Sequence, residues 1–280
     1  LMNIGIVGLG LIGGSIGLKL QSLNHIVYGI TNNTLNESKA KERKLANFIS
    51  NDFEILKNCS IIILALPIKE LLNPPIDLIQ AIPSNAILTD VGSVKLPVVK
   101  IWEKIHPLFI GSHPMAGNER QGVNAGDIEL FDNAKWVITK TNKTDQESLT
   151  VLSKLFNSMG CNVHIESPII HDQAVALISH LPIYLASCLI ETANDESNNS
   201  LLNLSRKLAS TGFSDTSRVG GGNPSLGLDL AKNNTTNILN SIKKFKTKIC
   251  EIEHIIENNN WDSLEEKLEN NKISRNYFIE

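Results

Sequence analysis

Residues 2–13 read MNIGIVGLGLIG, a short apolar run that stops at Gly8 and passes through Gly8-Leu9-Gly10-Leu11-Ile12-Gly13 into a segment of helical character, residues 11–22. The run is apolar at nearly every position, as a parallel strand covered on both faces requires. In this strand–turn–helix setting the pattern G-x-G-x-x-G has a physical reading. Gly8 permits the tight turn, Gly10 lets a pyrophosphate approach the backbone, and Gly13 lets the helix pack closely. The helix start, with Leu11 and Ile12 in its first turn, offers unpaired N–H groups and a positive dipole end to an anion. The stretch predicts a dinucleotide site, the plain alternative being a structural glycine turn.

Further strands are expected at residues 25–30 (HIVYGI), 60–66 (SIIILAL), 86–92 (AILTDVG), 107–113 (PLFIGSH) and 135–140 (KWVITK). They alternate with helical segments, which predicts an α/β fold with a Rossmann-type doubly wound sheet. Leu66 and Pro67, where the third strand ends, are expected beside the cofactor. The second strand ends in Thr31-Asn32-Asn33, where an NAD site usually has an acid for the ribose hydroxyls. Lacking that acid, the stretch favours NADP, with hydroxyl and amides as donors to a 2′-phosphate. NAD stays open, because no arginine stands there either.

The pattern changes near Ser167-Pro168, a helix N-cap followed by proline at the first helical position. Residues 1–166 are expected to form the dinucleotide-binding domain and residues 167–280 a mostly helical domain for substrate and dimerisation. Residues 169–193 are largely apolar with Pro182 inside, predicting a kinked helix or two helices. Ile238, Ile242, Phe245, Ile249, Ile252 and Ile256 recur at three- and four-residue steps and give one apolar stripe. So apolar a helical half suggests a second subunit as its cover, a homodimer.

Composition excludes other classes. The chain has 280 residues, 42% hydrophobic and 20% charged, as in a globular protein with a sizeable core. With 26 basic and 29 acidic residues the net charge is −3, so no nucleic-acid partner is indicated. The four cysteines form no metal spacing; Cys59 and Cys188, in apolar runs, are expected in the core as reduced thiols of a cytoplasmic protein. No metal is expected. Residues 4–18 are largely apolar but lack a basic leader and are broken by six glycines, against export and membrane spanning.

Four polar elements remain. Ser93 lies in Thr89-Asp90-Val91-Gly92-Ser93-Val94-Lys95, at a strand end, where open α/β sheets place ligands. His113 sits in GSHPMAG, residues 111–117. His180 lies in an apolar helical run, and Arg218 precedes a glycine-rich loop. Each has a plain reading: Ser93 a helix cap, His113 a turn residue, His180 a core histidine, Arg218 a surface charge.

In order along residues 2–230, GLGLIGGS, DVGSVK, GSHPMAG, HDQAVALISHLP and GFSDTSRVGGGNP resemble the successive motifs of the prephenate/arogenate dehydrogenase family of tyrosine biosynthesis, most closely its short cyanobacterial type. The resemblance implies oxidative decarboxylation of a cyclohexadienol. His113 matches the base that takes the substrate hydroxyl proton, and Ser93 the serine that orients it near the nicotinamide. His180 matches a substrate-site histidine and Arg218 the arginine that binds a substrate carboxylate. Arogenate with NADP is the favoured reading. Prephenate with NAD(P), giving 4-hydroxyphenylpyruvate, is the alternative, and a non-catalytic NADP-binding sensor a remote third.

Overall fold

The computed structural model describes residues 1–118 and 120–279. Two compact units divide it, Leu1–Asn234 and Thr235–Glu280. In the first, β1 (Asn3–Val7), α1 (Leu11–Ser22), β2 (Ile26–Ile30), α2 (Thr34–Glu42) and β3 (Phe48–Ser50) come first. Then follow β4 (Ile61–Leu64), α3 (Ile68–Leu72), α4 (Ile76–Ala81), β5 (Ile87–Asp90), α5 (Leu96–Ile105) and β6 (Phe109–Ile110). These strands pair in the parallel order β3-β2-β1-β4-β5-β6, the doubly wound arrangement that the alternating pattern predicts.

Along β4 the side chains alternate between two cores. Ile61 and Ile63 face one layer with Ile4, Ile6 and Ile16, while Ile62 and Leu64 face the other with Val7 and Leu88. All are at most 2% exposed, which is why the run shows no polar alternation. Each such side chain contributes about 1.5–3 kcal/mol by leaving water.

Residues 107–113 are not one strand. The chain leaves the parallel sheet after β6 and enters a second sheet as β7 (Ser112–Pro114). There β7 runs antiparallel to β8 (Lys135–Thr139), and after α6 (Gln146–Ser158), β9 (Asn162–Glu166) lies parallel to β8. Gly111 is the crossing point. A Cβ there would stand 2.7 Å from Thr139 Oγ1 and 2.8 Å from Val99 Cγ2, so a side chain has no room where the two layers meet.

From Ser167 onward the unit is helical: α7 (Pro168–Val175), a π turn (Ala176–His180), α8 (Leu181–Asn194), α9 (Asn199–Leu208), α10 (Thr211–Ser217) and α11 (Pro224–Asn233). Ser167 caps α7, its hydroxyl accepting from Ile170 N at 3.2 Å. The break expected at Pro182 takes the form of the wide π turn just before α8. Pro182 has no N–H, and its ring crowds the carbonyl of Ile178 four residues back; the extra residue in that turn relieves both problems. By length and composition residues 168–194 would also span a membrane, yet His171, Asp172 and His180 are buried inside the fold. Cys188, expected in the core, is exposed on α8, because none of the described residues covers it there; Cys59 is buried as expected.

The second unit pairs α12 (Thr235–Glu257) with α13 (Trp261–Ile279). Asn259, in the left-handed region at φ 51°, makes the turn between them. Glu251 on α12 accepts from Lys248 and from Lys267 of α13 at 2.7 and 2.8 Å, and these ammonium donors hold its carboxyl down at about 2. Ile249, Ile256, Leu268 and Ile273 remain exposed.

Candidate functional site

The glycine turn closes the carboxyl end of β1. Gly8 has φ 96°, and a Cβ on it would lie 2.4 Å from Ala65 O and 3.5 Å from Leu66 Cδ2. A Cβ on Gly13 would stand 1.9 Å from Gly8 O, so helix and turn touch backbone to backbone. Around Gly10, by contrast, nothing stands within 4 Å of a Cβ position. No side chain caps α1 and no acid occupies its first turn. The result is an open cradle with a positive helix end, which fits a dinucleotide pyrophosphate. Leu11 and Ile12 are half-buried in that first turn, and Pro67 is the residue before α3, three positions past Leu64, which pairs with Val7. β1 and β4 lie on either side of the point where the strand order reverses, the usual ligand crevice of such sheets.

At the end of β2 the three polar residues do different jobs. Thr31 is buried and its hydroxyl donates to Asn33 O at 3.3 Å. Asn33 caps α2, Oδ1 accepting from Asn36 N, while its Nδ2 donates to Asn32 Oδ1 at 3.0 Å. Asn36 Nδ2 also donates to Asn32 Oδ1, at 2.7 Å. The Asn32 carbonyl is therefore saturated from inside, and its amide N–H groups are the donors left for a ligand. Asn36 was not foreseen; an asparagine one turn into α2 was its only sequence signal.

The second cluster lies where β5, β7 and α7 converge. Asp90 and Lys95 are fully buried and form an ion pair. Asp90 Oδ2 also accepts from Gly92 N at 2.8 Å, and Lys95 Nζ donates to Ser112 O at 2.7 Å. Burial pulls the Lys95 ammonium below the usual lysine range, opposed by the attraction of Asp90. Ser112 Oγ donates to Asp90 O at 2.7 Å, so the strand carrying His113 is tied to β5 by side chains as well as backbone.

His113 is 9% exposed. Its Nδ1 lies 2.9 Å from His171 Nε2, and His171 Nδ1 lies 2.8 Å from Asp172 Oδ1. Asp172 in turn accepts from Lys95 N at 2.7 Å and Leu96 N at 2.8 Å. The start of α5 is thus capped by a carboxylate from α7, not by Ser93, which is half-buried in the loop ahead of it. Burial first, then the neighbouring His171, Lys95 and His180, hold the His113 imidazole well below the ordinary histidine range. It is a neutral ring with one nitrogen engaged, the state required of a general base.

His180 is fully buried at the end of the π turn. Its Nδ1 accepts from Asn234 Nδ2 at 3.3 Å, and the same amide donates to Asp172 O at 2.7 Å. That arrangement puts the His180 proton on Nε2, which has no hydrogen-bond partner among the described residues. Burial pushes its pKa down to about 4, against the pull of Asp172. A buried orphan donor is costly in a folded protein and suits an acceptor on a ligand. Arg218 lies beyond α10, exposed, and among the described residues its guanidinium has no acid partner. The structure thus joins His113 and His180 through His171, Asp172 and Asn234, whereas no hydrogen bond or ion pair links Ser93 or Arg218 to them. His171 and Asp172 went unremarked as site residues, although the doublet stands in an apolar stretch where a charge needs a reason. Among the described residues no group of His, Cys, Asp and Glu is arranged to hold a metal.

Residues 16–165 match the family described as prephenate dehydrogenase, nucleotide-binding domain, and residues 167–270 match prephenate dehydrogenase, dimerization domain. A prephenate dehydrogenase of Bacillus subtilis is 30% identical over 92% of this chain and 71% of its own length. The crystal structure of Synechocystis arogenate dehydrogenase superposes with a TM-score of 0.85 at 37% identity, covering 99% of this chain and all (100%) of that one. Prephenate dehydrogenase from A. aeolicus, solved with hydroxyphenyl propionate and NAD+, gives a TM-score of 0.91 at 28% identity, covering 98% of this chain and 97% of that one.

Proposed function

The chain belongs to the prephenate dehydrogenase family, oxidoreductases with a nicotinamide cofactor, and from that premise we propose that it converts arogenate to tyrosine by oxidative decarboxylation with NADP⁺. The observation that carries the reading is His113, neutral and buried at the sheet edge, with Nδ1 occupied and Nε2 left over as a base. The likeness at 37% identity to an arogenate dehydrogenase supports the substrate. Thr31-Asn32-Asn33 supports NADP⁺, since no carboxylate repels a 2′-phosphate and the Asn32 amide offers donors. The 30% identity to a prephenate dehydrogenase and the NAD⁺-bound relative favour the second reading, prephenate with NAD⁺.

In this reading Gly8, Gly10, Gly13 and the start of α1 hold the dinucleotide phosphates, with Leu66, Pro67 and Ser93 along its path. Bound nicotinamide supplies the hydride acceptor. Arg218 grips a substrate carboxylate with paired donors, a task lysine would not reproduce. The His180 Nε2–H donates to a substrate oxygen. His113 Nε2 takes the ring-hydroxyl proton; with the hydride of that hydroxyl-bearing carbon given to the acceptor, carbon dioxide leaves the opposite ring carbon and the ring is left aromatic. Ser93 orients that histidine from the nicotinamide side.

Residues 1–166 act as the dinucleotide half and residues 167–280 as the substrate and dimerisation half. The exposed apolar side chains of α8 and α13 are covered by a second copy of the chain, in a homodimer working in the cytoplasm.

The test is reduced-nucleotide formation with arogenate or prephenate, each with NAD⁺ or NADP⁺, beside a His113→Asn control. Turnover confined to arogenate with NADP⁺ and lost in the variant supports the whole reading. Turnover with prephenate alone overturns the substrate, and silence in all four overturns the reading.

A further inference from the structure

We propose that His171 and Asp172 are positioning residues that act through His113, fixing its tautomer and sharing the proton it takes; the inference rests on the assignment of His113 as base. The geometry leaves little freedom. An ionised Asp172 only accepts, and Oδ1 and Oδ2 already take the backbone N–H groups of Lys95 and Leu96. His171 Nδ1, 2.8 Å from Oδ1, must therefore donate. In neutral His171 the other nitrogen, Nε2, is then a lone pair, and it faces His113 Nδ1 at 2.9 Å. His113 Nδ1 must donate in turn, which leaves the His113 lone pair on Nε2, away from the pair. Each proton is placed by the one before it.

The chain also has somewhere to send charge. When His113 Nε2 takes the substrate proton, the ring becomes an imidazolium and its Nδ1–H lies against His171 Nε2. Passing that proton on makes His171 the cation, in direct contact with the Asp172 carboxylate, and restores neutral His113. No atom is lost and no oxidant is needed. Asp172 is only 2% exposed and His171 3%, so no water competes for these contacts.

The same pair gives the base an off state. A proton on His171 in the resting enzyme turns the short contact round: His171 Nε2–H then donates to His113 Nδ1, and His113 carries its proton on Nε2, toward the site. Proton placement on the two rings is therefore linked, and neither changes without the other. The groups facing them are Asp172 from α7, the Asp90–Lys95 pair from the β5–α5 loop and His180 from the π turn.

The tautomer is read first in the unmutated protein, by nitrogen NMR of histidine-labelled enzyme with His113 assigned through a His113→Gln variant. Nδ1–H on His113 above neutral pH is the expected result; Nε2–H overturns the proposal whether or not the protein turns over either substrate. Three variants follow, each first checked for dinucleotide affinity within about threefold of the parent. Asp172→Asn lets an amide N–H face His171 and reverse both tautomers. The corresponding change in a serine-protease triad lowers kcat by about 10⁴, and a fall of about 10²–10⁴ is expected here with KM little changed. His171→Leu is expected to fall similarly. His171→Gln keeps an acceptor for the His113 Nδ1–H but accepts no proton, so it should recover at least tenfold over His171→Leu while staying below the parent. Full kcat in His171→Leu, or equal kcat in the Leu and Gln variants, overturns the proposal. If no nucleotide and substrate pairing turns over even in the parent, the function fails and the tautomer result still stands or falls alone.

Discussion

Replacing Lys95 with methionine tests what holds the strand carrying His113 in place. The two side chains have similar length, so the change removes a charge and its donors with little change in volume. In the parent, Lys95 Nζ pairs with Asp90 and donates to Ser112 O, with both ionic side chains at 0% exposure. The variant leaves a buried carboxylate with only the backbone donors Gly92 N and Ser112 N, and a strand carbonyl without its lysine donor. Removing one partner of a buried pair costs about 3–5 kcal/mol. Against a typical total of about 5–15 kcal/mol this is roughly a fifth or more of the stability. For a chain of this size it lowers Tm by roughly 6–20 °C. Urea unfolding followed by circular dichroism, at one fixed protein concentration, should show a lower midpoint with an unchanged slope. The double variant Asp90→Asn/Lys95→Met, which removes the stranded charge, should be more stable than Lys95→Met alone. A single-variant loss below about 1 kcal/mol, or a double variant weaker than the single, would refute the reasoning.

Gly10→Ala and Gly13→Ala should part company: the first meets open space and should keep stability within about 0.5 kcal/mol while weakening dinucleotide affinity at least tenfold; the second meets Gly8 O at 1.9 Å and should cost about 1–3 kcal/mol or more. Thermal melts beside a nucleotide fluorescence titration separate them, and equal stability would count against the cradle. Acid should destabilise the fold through its buried neutral histidines. His180 at about 4 and His113 below its usual range both bind protons better unfolded, so stability rises with pH from about 4 to 6.5 and is complete above that. His180 alone accounts for about 3 kcal/mol across the window; a His180→Asn variant should flatten the urea-midpoint profile there, and an unchanged slope would contradict it. Ser167→Ala removes the cap of α7 and should cost about 1 kcal/mol by the same unfolding assay.

The parallel sheet was legible because each strand carries its own evidence. The apolar run at residues 60–66 reads as a doubly covered strand, which residues 61–64 form, and the glycines of residues 8–13 each answer a local demand. Local patterns say nothing of where a strand finds its partners. Residues 107–113 look like one strand since apolar character runs unbroken through Gly111, and only the approach of Thr139 and Val99 shows that the chain changes sheets there. The 3-residue β3 and β9 were missed for a similar reason, one too short and one mostly exposed, with three of its five positions polar. At the candidate site, His113 and His180 stood out through the motifs GSHPMAG and HDQAVALISHLP, since each alone also reads as a turn or core residue. His171 did not, because its partner is 58 residues away in sequence and chemistry of that kind depends on contact across the fold. Cys188 misled because an apolar run does not say which molecule will cover it.

The π turn between α7 and α8 holds one residue more than an α-helical path would need. In a regular helix each residue advances the side chains by about 100°. That surplus residue therefore works as an angular offset: it lets Asp172 cap α5 while His180, eight positions later, turns inward to Asn234. Deleting a single residue from positions 176–179 would leave His171, Asp172 and His180 in the chain and still rotate α8 out of phase with His113. The timing of the chain, as much as its composition, is what brings these side chains together.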